Sequence, residues 1–352
     1  MEKLRIAVIG LGGMGKRVHT PHHAENPKVE LVAFCDIRIE RAEAARDEHA
    51  PNARVYEDYK ELLKCDDIDA VDICTPNYMH APIAIAALNA GKHVFCEKPD
   101  SISVENVLAM KKAAEDNGKV LMVMRNNRFV EASAFAKKYI EDGRMGDIYA
   151  GRCGWVRRRG IPGKGGWFTT KEESGGGPLI DLGVHMIDLA IWLMGNPTPV
   201  AVSGNTWRYF ANTKSSDSVH AKFGDAKNAG TFDVEDMAMG MIRFDNGALL
   251  QIEFSWASNI KNEHRFVELR GSKSGLTWDD EALEIYTEDM DKLVDLQPKF
   301  KKVSGHAANL SHFVDVVLEG KDPCYKPQQG VDMVKILTAI YESAKVGHEI
   351  IL

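Results

Sequence analysis

Everything in the first hundred residues has to accommodate a glycine loop, Gly10-Leu11-Gly12-Gly13-Met14-Gly15, set between the apolar run Leu4–Ile9 and a helical stretch expected over Met14–Glu25. Asp36 follows 21 residues after Gly15, at the end of the next apolar run, Val29–Cys35. Glycines at this spacing let the backbone approach a pyrophosphate at a helix N-terminus, and a carboxylate at the end of the second strand can bind ribose hydroxyls. The pattern predicts dinucleotide binding by Gly10, Gly12, Gly13, Met14 and Gly15, with Asp36, Ile37 and Arg38 at the adenosine end. A carboxylate repels a 2′-phosphate, which favours NAD over NADP; Arg38 softens that preference.

Short apolar runs continue to alternate with helical stretches. Ala70–Cys74, His93–Cys96 and Val120–Met124 read as strands buried on both faces, with helices expected over Ile39–Glu48, Ala81–Ala90 and Val104–Asn117. This rhythm specifies a parallel sheet built from βαβ units. After about Asn126 the strands lengthen and alternate: Ile148–Arg158, Val200–Tyr209, Met237–Phe244, Ala248–Ala257 and Phe266–Arg270. Asp245-Asn246-Gly247 predicts a type I′ hairpin turn between two of them. Two closing helices are expected near Ala307–Leu318 and Val331–Val346, and Ala211–Thr231 reads as a surface loop. The expected class is therefore α/β, with residues 1–126 forming a dinucleotide-binding domain. Residues 127–352 are expected to form an α+β domain around a large, mainly antiparallel sheet open on one face.

Composition excludes several partners. With 44 Lys and Arg against 51 Asp and Glu, the net charge of −7 argues against a nucleic-acid binder. No run is long and charge-poor enough to span a membrane, and the six scattered cysteines suit a reduced, cytoplasmic setting.

Two further turns follow strands of the parallel sheet, on the edge where ligands bind. Thr75-Pro76-Asn77 opens the helix that contains His80, and Glu97-Lys98-Pro99 follows the next strand, so all of these are candidates for contact with the cofactor. The most informative segment runs from Gly175-Gly176-Gly177-Pro178 to Asp188. It predicts one buried helix, Leu179–Met194, carrying Asp181, His185 and Asp188 as a polar stripe at i, i+4 and i+7. A histidine flanked by carboxylates on an apolar helix points to a cavity lining, with the glycines giving a ligand close access to the backbone.

Together, Gly10–Gly15, Thr75-Pro76-Asn77 with His80, Glu97-Lys98-Pro99, Gly175–His185, Val234-Glu235-Asp236, Phe244–Gly247 and Asn309…His312-Phe313 resemble the glucose–fructose oxidoreductase/inositol dehydrogenase (Gfo/Idh/MocA) family of NAD(P)-dependent sugar and polyol oxidoreductases. The resemblance covers nearly the whole chain. It implies a Rossmann domain followed by an α/β domain whose open sheet mediates homodimer or homotetramer assembly, and a cis peptide at Lys98–Pro99. It also implies a catalytic group of Lys98, Asp181 and His185. Substrate-binding candidates are Arg128, Trp167, Asp181 and His185. The substrate class implied is a carbohydrate, glycoside or cyclic polyol, including glucoside oxidation at C3 and inositol dehydrogenation. The arginine-rich stretch Arg157–Trp167 reads either as a substrate lid that selects an anion or as a solvated edge strand. Other readings are an enzyme that recycles tightly bound NAD on a glycoside, and a non-catalytic dinucleotide sensor. No metal site is expected, since His19, His22 and His23 have no acidic or cysteine ligand nearby in sequence.

Overall fold

The structure is a computed structural model that describes residues 3–216, 218–224, 226–227 and 229–352. Asp217, Asp225 and Asn228 of the expected surface loop lie outside the described residues, as do Met1 and Glu2. The chain divides into two compact units, residues 1–126 with 306–334 and residues 127–305 with 335–352.

In the first unit, six strands among the described residues form a parallel sheet. They are β1 (Leu4–Ile9), β2 (Val29–Cys35), β3 (Arg54–Tyr56), β4 (Ala70–Ile73), β5 (His93–Cys96) and β6 (Leu121–Val123). Their order, β3-β2-β1-β4-β5-β6, is that of a Rossmann fold. Helices cover both faces, so Ile6, Val8, Phe34, Val71, Ile73, Val94 and Phe95 are wholly buried. The helix Val104–Asn117 shows how local chemistry sets the boundaries: the Ser103 hydroxyl accepts from the Asn106 N–H at its start, and Gly118 closes it at φ 59°.

The linear division expected at residue 126 misses one segment. Leu310, Phe313, Val314, Val316 and Tyr325 lie in the same apolar core as β1, β4, β5 and β6, so 306–334 belongs to the Rossmann unit. A buried polar knot secures it. Asp100 accepts from Arg125 Nη2 at 2.6 Å and from Tyr325 Oη at 2.5 Å, and the Arg125 N–H donates to Asn309 Oδ1 at 2.7 Å. Gly330 must lack a side chain, because a Cβ there would sit 2.2 Å from Asp100 Oδ1.

The second unit is built on a nine-stranded mixed sheet among the described residues. It adds β7 (Ile148–Val156), β8 (Pro199–Trp207), β9 (Met237–Phe244), β10 (Leu249–Ser255), β11 (His264–Gly271), β12 (Gly275–Asp279), β13 (Ala282–Asp289), β14 (Lys292–Leu296) and β15 (Ile350–Ile351). The order is β14-β13-β12-β11-β7-β10-β9-β8-β15, antiparallel throughout except for the β7–β10 pair. The hairpin between β9 and β10 forms as expected, but its turn is not type I′. Positive φ occurs at Gly247 (84°) and not at Asn246, whose side chain instead accepts from the Ala248 N–H. Strands β12–β14 escape a reading based on glycine turns, because their connections take positive φ at Asp280, Glu281, Met290 and Asp291. No single helix among the described residues is long and apolar enough to cross a membrane.

Removing Asp100 leaves the Arg125 guanidinium buried without its counter-ion. Asp100→Ala is expected to cost about 3–5 kcal/mol, read as a lowered urea midpoint in far-UV circular dichroism.

Candidate active site

The glycine loop is shaped by close backbone contact. Gly10 has φ 93°, and a Cβ on it would lie 2.7 Å from the Cys74 backbone; one on Gly15 would lie 2.0 Å from the Gly10 carbonyl oxygen. At Gly12 a Cβ would meet nothing closer than the Arg41 guanidinium at 4.0 Å, so this side of the loop is open. The Asp36 carboxylate closes the turn by accepting from the Leu11 and Arg38 N–H groups at 2.7 and 2.9 Å. Each oxygen keeps a lone pair for a hydroxyl donor. A loop shut on one side by backbone and open on the other, with a carboxylate at the end of β2, fits a dinucleotide pyrophosphate and its ribose. Ile37 and Arg38 are exposed beside Asp36. Arg41, which the sequence pattern did not single out, adds a second cation at the loop.

The edge formed by the ends of β4 and β5 carries Thr75-Pro76-Asn77 and Glu97-Lys98-Pro99, and the Lys98–Pro99 peptide is cis. His80, expected to face the cofactor, instead spends both ring nitrogens on the backbone: Nδ1 lies 2.7 Å from the Pro99 carbonyl and Nε2 2.9 Å from that of Thr75. It ties the two turns together, and burial lowers its pKa. Glu97 is buried, its Oε2 accepting from the Lys98 N–H at 3.0 Å and its Oε1 facing His19 Nε2 at 2.8 Å. His19 Nδ1 in turn faces Asp72 Oδ2 at 2.8 Å, and His23 Nε2 reaches the same oxygen at 2.8 Å.

Sequence reading found no acidic neighbour for these histidines; the sheet supplies two. His19, Asp72 and Cys74 lie close enough to form a metal-sized cluster. Their polar atoms, however, already face one another at hydrogen-bond distance, and burial pushes the Cys74 thiol up to about 12. Burial opposes charge on Asp72 and Glu97, but the His19 contact outweighs it, holding Asp72 well below the carboxylate range and Glu97 at about 2.

In the second unit, the expected single helix is two. Pro178–Asp181 and Gly183–Leu193 are separate helices, parted at Leu182. The predicted stripe is therefore divided. Asp188 is buried and grips Arg128, whose Nε and Nη2 donate at 2.8 and 2.6 Å. Arg128, a candidate substrate ligand, is itself buried in that pair, with its guanidinium over the Trp192 ring. Between Gly176 and Ala190, only Asp181 and His185 are not fully buried. Asp181 Oδ2 accepts from the buried Trp256 indole at 2.9 Å, and the His185 ring lies 6.1 Å from that of Trp155.

The glycines before this segment make room for protein rather than for a ligand. A Cβ on Gly176 would strike Tyr341 Oη, and one on Gly177 the Glu235 carbonyl. Glu235 caps the first helix by accepting from the Gly177 and Leu179 N–H groups at 2.9 and 3.1 Å, although burial raises its pKa. Trp167 stacks on Phe168 at 3.8 Å. Of the arginine run, Arg157 is buried against Trp155, with burial lowering its pKa to about 10, while Arg158 is exposed. Trp155 and Trp256 had no sequence signal beyond residue type, while Glu235 stood out only within the family-like run Val234–Asp236, which gave no hint that it caps a helix more than fifty residues away.

Comparison with known proteins identifies the family. Residues 4–125 match a family model described as an oxidoreductase family with an NAD-binding Rossmann fold, and residues 133–277 match the Gfo/Idh/MocA C-terminal domain. The chain is 34% identical over 346 residues to D-glucoside 3-dehydrogenase of Escherichia coli, covering 98% of this chain and 96% of that one. It is also 34% identical over 289 residues to levoglucosan dehydrogenase of Pseudarthrobacter phenanthrenivorans, covering 79% and 74%. A solved levoglucosan dehydrogenase in complex with NADH and levoglucosan superposes with TM-score 0.85 at 27% identity over 99% of both chains. The chain belongs to the Gfo/Idh/MocA family of NAD(P)-dependent oxidoreductases.

The buried carboxylates give the first unit a signed pH dependence. Folding holds Glu97 at about 2 against an ordinary 4.5, so its contribution is complete above about pH 4.5 and is lost as pH falls toward 2. Asp72 acts in the same direction. The melting temperature is expected to fall steeply below about pH 4.5, and Glu97→Gln should flatten that limb in calorimetric scans across pH.

Proposed function

We infer that the protein oxidises a ring hydroxyl of a sugar, glycoside or cyclic polyol with NAD as the preferred cofactor, and that a D-glucoside oxidised at C3 is the first substrate to test. The observation that carries this reading is the pair Asp181 and His185, the two polar side chains left partly open in an otherwise buried stretch. The full-length similarity to D-glucoside 3-dehydrogenase supports the substrate class. Asp36 at the adenosine end supports NAD over NADP, with Arg38 and Arg41 limiting the margin.

The bound nicotinamide ring supplies the hydride acceptor. Gly10–Gly15 and Asp36 hold the dinucleotide, with Thr75-Pro76-Asn77 and Glu97 beside Lys98 on the same strand-end edge. His185 takes the proton from the substrate hydroxyl. Lys98 donates a hydrogen bond to that oxygen and offsets its developing negative charge. Asp181, fixed on one side by the Trp256 indole, orients the sugar or His185. Trp167 offers an aromatic face to the ring. Arg128 contributes by anchoring the helix that carries His185, through Asp188. The protein works in the cytoplasm as a homo-oligomer joined through the open face of the nine-stranded sheet.

Purified protein with NAD+ is expected to form NADH with glucosides in a panel of glucosides, hexoses, inositols, uronates and sugar phosphates. A response confined to uronates or sugar phosphates would replace the neutral-sugar reading. His185→Ala should lower turnover about 10²–10⁴-fold while NAD+ affinity, measured by calorimetry, stays unchanged. Asp36→Ala should cut the NAD over NADP ratio of kcat/KM by about tenfold or more, since one lost carboxylate–hydroxyl contact plus relieved repulsion is worth over ~1.4 kcal/mol.

A further inference from the structure

The buried His19 is not used by the mechanism above, yet it lies directly behind the peptide that carries Lys98. Both its ring nitrogens face carboxylate oxygens at 2.8 Å, Asp72 on one side and Glu97 on the other, and neither His19 nor Asp72 has any exposure. Ionised carboxylates only accept, so both nitrogens must donate: His19 is an imidazolium between two anions. Burial disfavours that charge, but Asp72 outweighs it and raises the His19 pKa well above its usual value. The far oxygen of Glu97 takes the Lys98 N–H.

Local backbone explains why a histidine reaches this place. Gly15–His19 is a single π-helical turn, closed by the Thr20 N–H on the Gly15 carbonyl, directly after the glycine loop. The turn continues into the helix Thr20–Glu25, which places His19 and His23 on a common face against Asp72. One helical segment thus begins at the dinucleotide loop and, through His19, reaches the carboxylate that holds the lysine turn.

We propose that His19 is a positioning residue for the reaction: held by Asp72, it fixes the Glu97 carboxylate against the Lys98 peptide and thereby places Lys98. This rests on the reading of Lys98 as a catalytic group. Without the imidazolium, Glu97 loses the partner that holds it against the Lys98 N–H. His80, on the helix after β4, and His306, at the start of the helix Gly305–Glu319, both feel the Lys98 charge. Burial lowers the pKa of both, and His19 and His22 add to that effect at His306.

The test compares wild type with His19→Gln, which keeps bulk and one donor but cannot bridge two carboxylates as a cation. With saturating NAD+ and the best glycoside of the panel, kcat should fall about tenfold or more while KM for the sugar moves less than about threefold. A second readout needs no substrate: the rate of Lys98 modification by trinitrobenzenesulfonate in NAD-loaded protein at a fixed pH, followed by peptide mass spectrometry. That rate should change in the same direction in His19→Gln and in Glu97→Gln, since both release the same turn. If His19→Gln fails to fold, Asp72→Asn weakens the same clamp and should change the rate in that direction too. An unchanged labelling rate and an unchanged kcat, with only stability reduced, would make His19 a structural residue and overturn the proposal. A wild type inactive on every sugar would overturn the proposed function, while the labelling rates would still decide the role of His19.

Discussion

Contact between the Gly15 α-carbon and the Gly10 carbonyl leaves no room for a methyl group, and the first unit is organised around that closeness. It brings the start of the following helix down onto the ends of β1 and β4. The carboxylate of Asp36 then locks the turn from the side, through the Leu11 N–H. Because the helix starts so low, its first turn points two histidines at the sheet rather than at water. Those histidines need counter-charges, and the interior positions on β4 and just past β5 are accordingly acidic. A polar interior of this kind is tolerated because the histidines face carboxylates at hydrogen-bond distance.

The second unit solves a related problem with different parts. A nearly all-apolar helix pair must begin somewhere, and its first N–H groups are buried. Glu235 satisfies two of them, and Tyr341 donates to the same carboxylate at 2.9 Å. The glycines at 176 and 177 are the space these partners occupy. With the start of the segment sealed and Asp188 neutralised by Arg128, the polar groups that still reach solvent are Asp181 and His185.

Much of this was legible in the sequence, and the failures share a cause. The parallel sheet, its glycine loop and the helix Val104–Asn117 follow from periodicity and end signals, which act within a few residues. What periodicity does not encode is which distant side chain answers a buried charge. Asp72 and Glu97 lie 53 and 78 residues from His19, and Asp188 lies 60 from Arg128. Read locally, His19 has no ligand and Asp188 looks like part of a cavity wall. The break at Leu182 was missed as well: Asp181 and Gly183 flank it, but a helix was read through both because the apolar run resumes beyond them. Strands β12–β14 were missed because aspartate, glutamate and methionine take turn conformations usually assigned to glycine.

The return of residues 306–334 to the first unit also bears on synthesis. A ribosome that has released residues 1–126 has made every strand of the parallel sheet, but not Leu310, Phe313, Val314 or Tyr325, which complete its core. Nor has it made Asn309, the acceptor for the Arg125 N–H. Until then the nascent sheet carries an uncovered apolar face and the Asp100–Arg125 pair lacks its tyrosine. The first unit therefore completes its core only after residues 306–334 have been made, although all six of its strands come earlier.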